Sequence, residues 1–298
     1  MKIGVISDIH SNIVAFKACI EYLEKAGCEE YFFLGDYVSD TPYTKETMDT
    51  LYEFVHEHKC HLLRGNREEY MLAQQNVRES GESEQKWIYN SASGNLLYTY
   101  ELLTERDLTF FRELPISFVF EKPGYPSIMC CHGSPENARE LVQLGSDRAK
   151  FWLDHIPCRY MICAHTHFPG EYTYKGKRYF NSGCVGISIA DAGFAQCMIL
   201  KDATVDGEVV WQPEFLRIPY DNQKVVDDII SCGLLDKAPW FINSNIQILL
   251  TGEDHAAELV ELASKLAAQS GETQKWPRID EKYFAMAAEE LCIPDYRR

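Results

Sequence analysis

The chain lacks any Cys-x-x-Cys pair, although it holds 11 cysteines among 298 residues. An odd count without paired spacing fits neither a disulfide framework nor a structural zinc knot, so the thiols read as reduced and buried. No run reaches the ~18 apolar residues of a membrane span. Met1 leads straight into Lys2-Ile3-Gly4-Val5-Ile6, without the basic segment, apolar stretch and cleavage site of a secretory leader. Secretion and membrane insertion are therefore not expected, and a cytoplasmic protein is. Positive charge is scarce as well: 29 Lys and Arg face 45 Asp and Glu, a net charge of -16. That balance leaves no basic stripe for a broad nucleic-acid surface. No obvious nucleophile motif such as a Gly-x-Ser-x-Gly elbow is present either, which fits a reaction that needs no covalent enzyme intermediate.

What the chain does have is five short segments, far apart, that each place Asp, Asn or His just after an apolar run. They are Ser7-Asp8-Ile9-His10, Gly35-Asp36, Gly65-Asn66-Arg67-Glu68, Cys131-His132-Gly133 and Ala164-His165-Thr166-His167. Brought together, they would form an oxygen- and imidazole-rich pocket for divalent cations. Side chains at i and i+2 of an extended backbone share a side, so Asp8 with His10, and His165 with His167, can each present two ligands to one pocket. Cys130, Cys131 and Cys163 flank these ligands but read as buried strand residues, and mixed oxygen and nitrogen ligation without thiolate is expected. His56, His58 and His61 read as a solvated helix end.

Periodicity supplies a frame. Lys2 to Ile6 reads as a buried strand, followed by a helix with Ile13, Phe16, Ile20 and Leu23 on one face, Asn12 as N-cap and Gly27 as stop. Strands at Tyr31 to Leu34 and Cys60 to Leu63, with a helix bearing Met48, Leu51 and Val55 between them, continue the alternation, which implies parallel strands. Ligands in such sheets sit outside the carboxyl ends of the strands, where Asp8, Asp36 and Asn66 emerge. Residues 68–114 read as a helical insertion, with Trp87, Tyr89, Tyr98 and Tyr100 as aromatic surface near the cleft. Strand-like runs at 116–120, 127–131, 160–163, 172–174, 178–181, 195–200 and 209–215 are expected to make a second sheet. Beyond Tyr220 the pattern is helical. The expected organisation is thus a core over residues 1–220 and a helical C-terminal appendage over 221–298, whose Leu259, Leu262 and Leu266 face is a candidate homodimer contact.

The five segments, in this order, resemble the calcineurin-like metallophosphoesterase family, whose pattern runs Asp-x-His, Gly-Asp, Gly-Asn-His-(Asp/Glu), His and Gly-His-x-His. Asn181-Ser182-Gly183-Cys184-Val185-Gly186 is similar to an Asn-Pro-Gly-Ser-Val-Gly stretch of the smaller bacterial and archaeal phosphodiesterase-type members. The resemblance implies an α+β fold, a four-layer αββα sandwich. It also implies two divalent ions, with Mn expected first and Fe or Zn as alternatives. On this pattern Asp8, His10, Asp36 and His167 hold one ion, Asp36, Asn66, His132 and His165 hold the other, and Asp36 bridges. The implied reaction is hydrolysis of a small phosphate-ester or nucleotide substrate by a hydroxide shared between the ions. Arg67 breaks the pattern, because the family has His there, acting on the transition state or the leaving oxygen. A guanidinium can bind a phosphate oxygen but cannot usefully give up a proton, which favours phosphodiesters over alkyl monoesters. Arg67 and Asn12 are the candidate substrate contacts. The alternatives are a phosphomonoesterase or dinucleoside-polyphosphate hydrolase of the same fold and, from another class, a non-catalytic protein-binding scaffold like the retromer subunit that shares this fold.

Overall fold

The computed structural model describes residues 1–81, 83–272 and 275–297. Three apolar strands, β1 (Lys2–Ile6), β2 (Glu30–Phe33) and β3 (Cys60–Leu62), pair in parallel, joined by α1 (Ile13–Lys25) and α2 (Thr44–Glu57). Asn12 starts α1 by accepting a hydrogen bond from the Ala15 amide at 3.1 Å, and Ile13, Phe16 and Leu23 bury its inner face. After β3 come α3 (Asn66–Ser80), α4 (Gly94–Leu102) and α5 (Glu105–Glu113), the helical stretch that the sequence predicts.

The second sheet contains β4 (Ser117–Phe120), β5 (Ile128–Cys131), β6 (Tyr160–Cys163), β7 (Gly170–Tyr174) and β8 (Lys177–Asn181), in the order β4-β5-β6-β8-β7. Between β5 and β6 the chain crosses through α6 (Asp147–His155). The last two predicted strands depart from expectation. β9 (Phe194–Val205) and β10 (Glu208–Pro219) join the first sheet, with β9 antiparallel to β1 and the order β10-β9-β1-β2-β3. The reason lies in burial. Met198 and Leu200 face the space between the sheets, while Ala195, Cys197 and Ile199 face α1 and its neighbours, so β9 needs cover on both sides. The free edge of β1 offers that cover, and periodicity alone does not specify which edge a strand will use.

The layers follow from three apolar clusters. Ile3, Val5 and Phe32 of the first sheet meet Ile128, Tyr160, Ile162 and Phe180 of the second, so the sheets pack face to face. Helices α1 and α2 cover the outer face of the first sheet, and Ala149, Trp152 and Leu153 of α6 cover Met161, Cys163 and Tyr179 on the outer face of the second. The architecture is the four-layer αββα sandwich.

Five further helices follow β10: α7 (Asn222–Ser231), α8 (Leu234–Lys237), α9 (Pro239–Thr251), α10 (Ala256–Gln269) and α11 (Glu281–Glu290). Pro239 opens α9 at its first turn, where its missing N–H costs nothing. Leu259 is fully buried, and Leu262 and Leu266 pack into the cluster formed by Tyr283, Phe284, Ala287 and Ala288 of α11. The face expected to meet a second copy is therefore covered within the chain. Among the described residues, no helix is long and apolar enough to cross a membrane.

At the end of β2 away from the candidate ligands, the Glu30 carboxylate lies 2.9 Å from Lys122 Nζ, 3.0 Å from Lys59 Nζ and 3.0 Å from His61 Nε2. Burial opposes the ionised form, but Lys122, His61 and Lys59 outweigh it and hold the carboxyl at about 2, below its ordinary 4.5. A depressed acid contributes its stability above the ordinary value and loses it as pH falls toward the folded one. Glu30→Gln should therefore cost about 2 kcal/mol at pH 7 and almost nothing near pH 2. Denaturant unfolding across that range measures the difference.

Candidate metal centre

All five segments leave the carboxyl ends of parallel strands and meet in one cleft. Asp8 follows β1, Asp36 follows β2, Asn66 opens α3 just after β3, His132 follows β5, and His165 and His167 follow β6. The local geometry is not the extended one that the i, i+2 spacing suggests. Asp8, His10, Asp36, His165 and His167 all have positive φ, from 48° to 65°. The side chains of each pair still reach one pocket, but through left-handed turns that non-glycine residues adopt only under constraint. The constraint is visible: the Asp8 amide donates to Gly35 O at 3.1 Å and the His10 amide to Asp36 O at 3.0 Å, while Gly186 N donates to Asp8 O at 2.9 Å. Gly35 and Gly65 let two of these turns touch, since a Cβ at Gly65 would overlap the Asp36 carboxylate.

Asp36 lies at the centre. Its Oδ2 is 3.4 Å from His132 Nε2 and 4.0 Å from His10 Nε2. Asp8 Oδ1 is 3.4 Å from His167 Nε2 and 3.9 Å from both His10 Nε2 and His132 Nε2, and it is buried with no hydrogen-bond partner. The Nε2 atoms of His10 and His167 are 3.2 Å apart, and His132 Nε2 is 2.9 Å from Asn66 Oδ1. His165 completes a group with Asp36 and His132 whose ligand atoms all lie within 4.8 Å of one another. Seven donors of the expected kind thus converge, and an orphaned buried carboxylate oxygen faces them. Those residues fit divalent cations.

The electrostatics agree. Burial disfavours ionised Asp8, yet His167 and His132 outweigh it and keep the carboxyl below its usual range. Burial likewise opposes ionised Asp36, and His132 and His10 reverse the effect. Burial would lower His132, but Asp36 and Asp8 raise it to about 9, whereas burial and His132 push His165 down to about 4. The carboxylates are held charged and demand compensating positive charge.

Neighbouring residues aim the ligands. His132 Nδ1 lies 2.7 Å from Leu34 O, so that nitrogen carries its hydrogen and Nε2 is left to ligate. His10 Nδ1 lies 2.7 Å from Asp40 Oδ2, a close charge contact that leaves Nε2 facing the other ligand candidates. Asp40 had no signal beyond its place four residues after Asp36, yet it is fully buried and also holds Arg67 Nη2 at 3.0 Å and Asn95 Nδ2 at 2.8 Å. Glu68 accepts the amides of Gly65, Asp36 and Tyr37 at 2.7, 2.9 and 2.9 Å, so it shapes the loop rather than pairing with Arg67. Asn181 Nδ2 donates to Ala164 O at 2.8 Å and fixes the turn that carries His165.

Asn12 is placed differently from a substrate contact. It is fully buried; besides capping α1, its Nδ2 donates to Gly186 O at 2.7 Å, and it does not line the cleft. Trp87, Tyr89, Tyr98 and Tyr100 do not line it either. The cleft, about 490 Å³, is walled instead by Tyr70, Phe168 and the C-terminal helices through Phe241, Asn245 and Val260. A thiol also arrives unannounced: Cys184 groups with His10 and His167, its Sγ donating to Asp8 O at 3.2 Å. Cys130, Cys131 and Cys163 are buried as expected.

Comparison with known proteins places this geometry. The model of the calcineurin-like phosphoesterases matches residues 1–169. An uncharacterized protein of Methanocaldococcus jannaschii is 22% identical over 237 residues, 76% of this chain and 91% of its own. A solved hypothetical protein of Pyrococcus horikoshii superposes with a TM-score of 0.68 at 22% identity, over 85% of this chain and 99% of that one. A solved metallophosphoesterase from Sphaerobacter thermophilus gives 0.63 at 20% identity, over 85% and 100%. Both structural likenesses speak to the fold.

Replacing Asp40 by Asn should loosen His10 without removing a candidate ligand. Asp40→Asn is expected to lower Mn²⁺ affinity by about 10- to 100-fold, as outer partners of histidine ligands usually do when lost, and calorimetric titration of the metal-free protein checks it.

Proposed function

From the premise that the chain belongs to the calcineurin-like phosphoesterase family, we propose that it hydrolyses phosphate esters with two divalent metal ions, Mn²⁺ first among them, and prefers diesters. The observation that carries the reading is the convergence of Asp8, His10, Asp36, Asn66, His132, His165 and His167 around an orphaned buried carboxylate oxygen. Asp8, His10 and His167 would hold one ion, Asn66, His132 and His165 the other, with Asp36 between them. Bound there, the ions supply a water of lowered pKa and neutralise charge on the phosphoryl oxygens.

The chain's own residues do the remainder. Asp40 and Leu34 O fix which imidazole nitrogens face the ions. Arg67, 19% exposed, is anchored on Asp40 and lines the cleft, where its guanidinium can hold a phosphoryl oxygen. Always charged, it leaves the departing oxygen without a proton donor at that place, which supports diester or activated substrates over alkyl monoesters. A protein-binding scaffold would have no use for two like-charged buried carboxylates that need histidines to compensate them. The intact donor set therefore favours the enzyme.

With Mn²⁺, bis-p-nitrophenyl phosphate should be turned over faster than p-nitrophenyl phosphate, and Asp36→Asn should reduce both by about a thousandfold or more. A monoester preference would overturn the argument from Arg67. Substoichiometric Mn²⁺ in the loaded protein, together with no activity on either ester, would return the scaffold reading.

A further inference from the structure

Beside the cleft lies a second cavity of about 350 Å³, within the range of about 300–1,000 Å³ that small-molecule sites occupy. The two share Arg67, Tyr70, Phe241 and Val260 as walls, so they form one groove that runs from the candidate ligands past Arg67. Phe241 and Val260, together with Trp276 at the rim, come from beyond residues 1–169, the span that the family model matches. The polar side chains of the cavity wall are already engaged. Arg67 Nη2 is 3.0 Å from Asp40, Asn95 donates to Asp40 at 2.8 Å and accepts its amide at 3.2 Å, and Ser91 Oγ donates to Glu281. Arg139 Nε lies 3.4 Å from Glu69, with its guanidinium 4.5 Å from the Tyr70 ring centre, and Trp276 Nε1 donates to Ala92 O at 3.0 Å. Beyond Arg67, what is left to meet an occupant is the Tyr70 side chain and the apolar surface of Leu96, Phe241, Val260 and Trp276.

Resting on the phosphoesterase reading, we propose that this cavity seats the ester arm that stays on phosphorus when a diester is cleaved, and that this arm is an uncharged apolar group of aromatic size. Cleavage breaks one ester bond: water's oxygen bonds to phosphorus, the departing oxygen takes the electron pair of the broken bond, and water's proton passes to solvent. The other arm stays attached and needs a place of its own. The groove offers one at Arg67, which stands where the two cavities join and can hold a phosphoryl oxygen there. The departing oxygen leaves as an anion, because a guanidinium gives up no proton. An apolar wall whose polar groups are already paired penalises such a charge, so the cavity suits the neutral arm and not the leaving one. Binding energy for that arm comes from apolar surface buried against the rings of Tyr70, Phe241 and Trp276. Phe241 and Trp276 therefore act as specificity-determining residues, and Arg139 as a positioning residue that holds the Tyr70 ring.

The test compares two diesters that share a leaving group and differ in the arm that stays, phenyl p-nitrophenyl phosphate and methyl p-nitrophenyl phosphate, on the full chain loaded with Mn²⁺. The phenyl ester should have a KM at least about tenfold lower, the scale of one buried ring, with the difference in KM and not in kcat. Trp276→Ala and Phe241→Ala should each raise the KM of the phenyl ester toward that of the methyl ester, whereas a merely structural role would move both esters alike. Trp276 is 46% exposed and Phe241 half-buried, so both variants should fold, with circular dichroism as the check. Calorimetric titration of phenylphosphonate against methylphosphonate, which have no ester bond to break, should show the same preference apart from turnover. Equal KM for the two diesters, or an equal change for both in the two variants, overturns the proposal. Hydrolysis of both diesters with no preference in either assay removes the arm assignment alone. No hydrolysis of either diester, with phenylphosphonate still preferred, removes the phosphoesterase reading and the arm assignment that rests on it.

Discussion

Two carboxylates of like charge, Asp8 and Asp36, are buried within a few ångströms of the same imidazoles, and the rest of the structure is arranged around that cost. Desolvating one carboxylate is expensive, and placing a second nearby adds repulsion. Imidazoles meet the demand when they carry protons. His132 shows how, for its two nitrogens face Leu34 O and Asn66 Oδ1, both acceptors, and its raised pKa follows from the carboxylates beside it. Asn66 and His132 are also the pair proposed to hold one ion, so a proton and a divalent cation compete for the same space between them. Acidic surroundings should therefore favour the protonated site over the metal-bound one.

Holding such a site requires backbone that does not relax. Five of the candidate ligands adopt left-handed conformations, and the loops that carry them are tied to one another rather than to solvent: Asp8 to Gly35, His10 to Asp36, Gly186 to Asp8. Glu68 contributes a buried carboxylate whose only described hydrogen bonds are to three backbone amides, at Gly65, Asp36 and Tyr37. Burial and Asp36 push its carboxyl up, to about 7, while those amides pull it back. The close approach of Gly35 to Gly65 admits no side chain, so the glycines before Asp36 and Asn66 are steric requirements of the site.

How much of this could be read in advance differs from residue to residue. The strands ending at Asp8, Asp36, Asn66, His132 and His165 were legible because each is a short apolar run that stops at a polar residue, and the parallel alternation put their ends together. The sheet joined by β9 was not legible, since a strand buried on both faces has no polar side to mark its neighbour. Asp40 was hidden because its role depends on where His10 and Arg67 arrive, 30 and 27 residues away in sequence. Asn12 was misleading in the opposite sense: a helix cap next to a ligand segment looks like a substrate contact until its amide is seen bound to Gly186.

The C-terminal helices mark the limit of reading by pattern. α9 buries Asn243, Ser244, Asn245 and Gln247 along with Ile242, Ile246, Ile248 and Leu249, so it has no polar face and no clean period. Buried amides of this kind need partners, and Asn245 finds one in the backbone carbonyl of Asp40, 3.3 Å away. That contact joins the helical segment to the residue that orients His10 and Arg67. The wall of the cleft and the aim of its ligands are thus coupled through one carboxylate. A substitution in α9 is expected to shift the candidate ligands without touching one, because Asp40 is held at once by Asn95 and Arg67 and lies against His10.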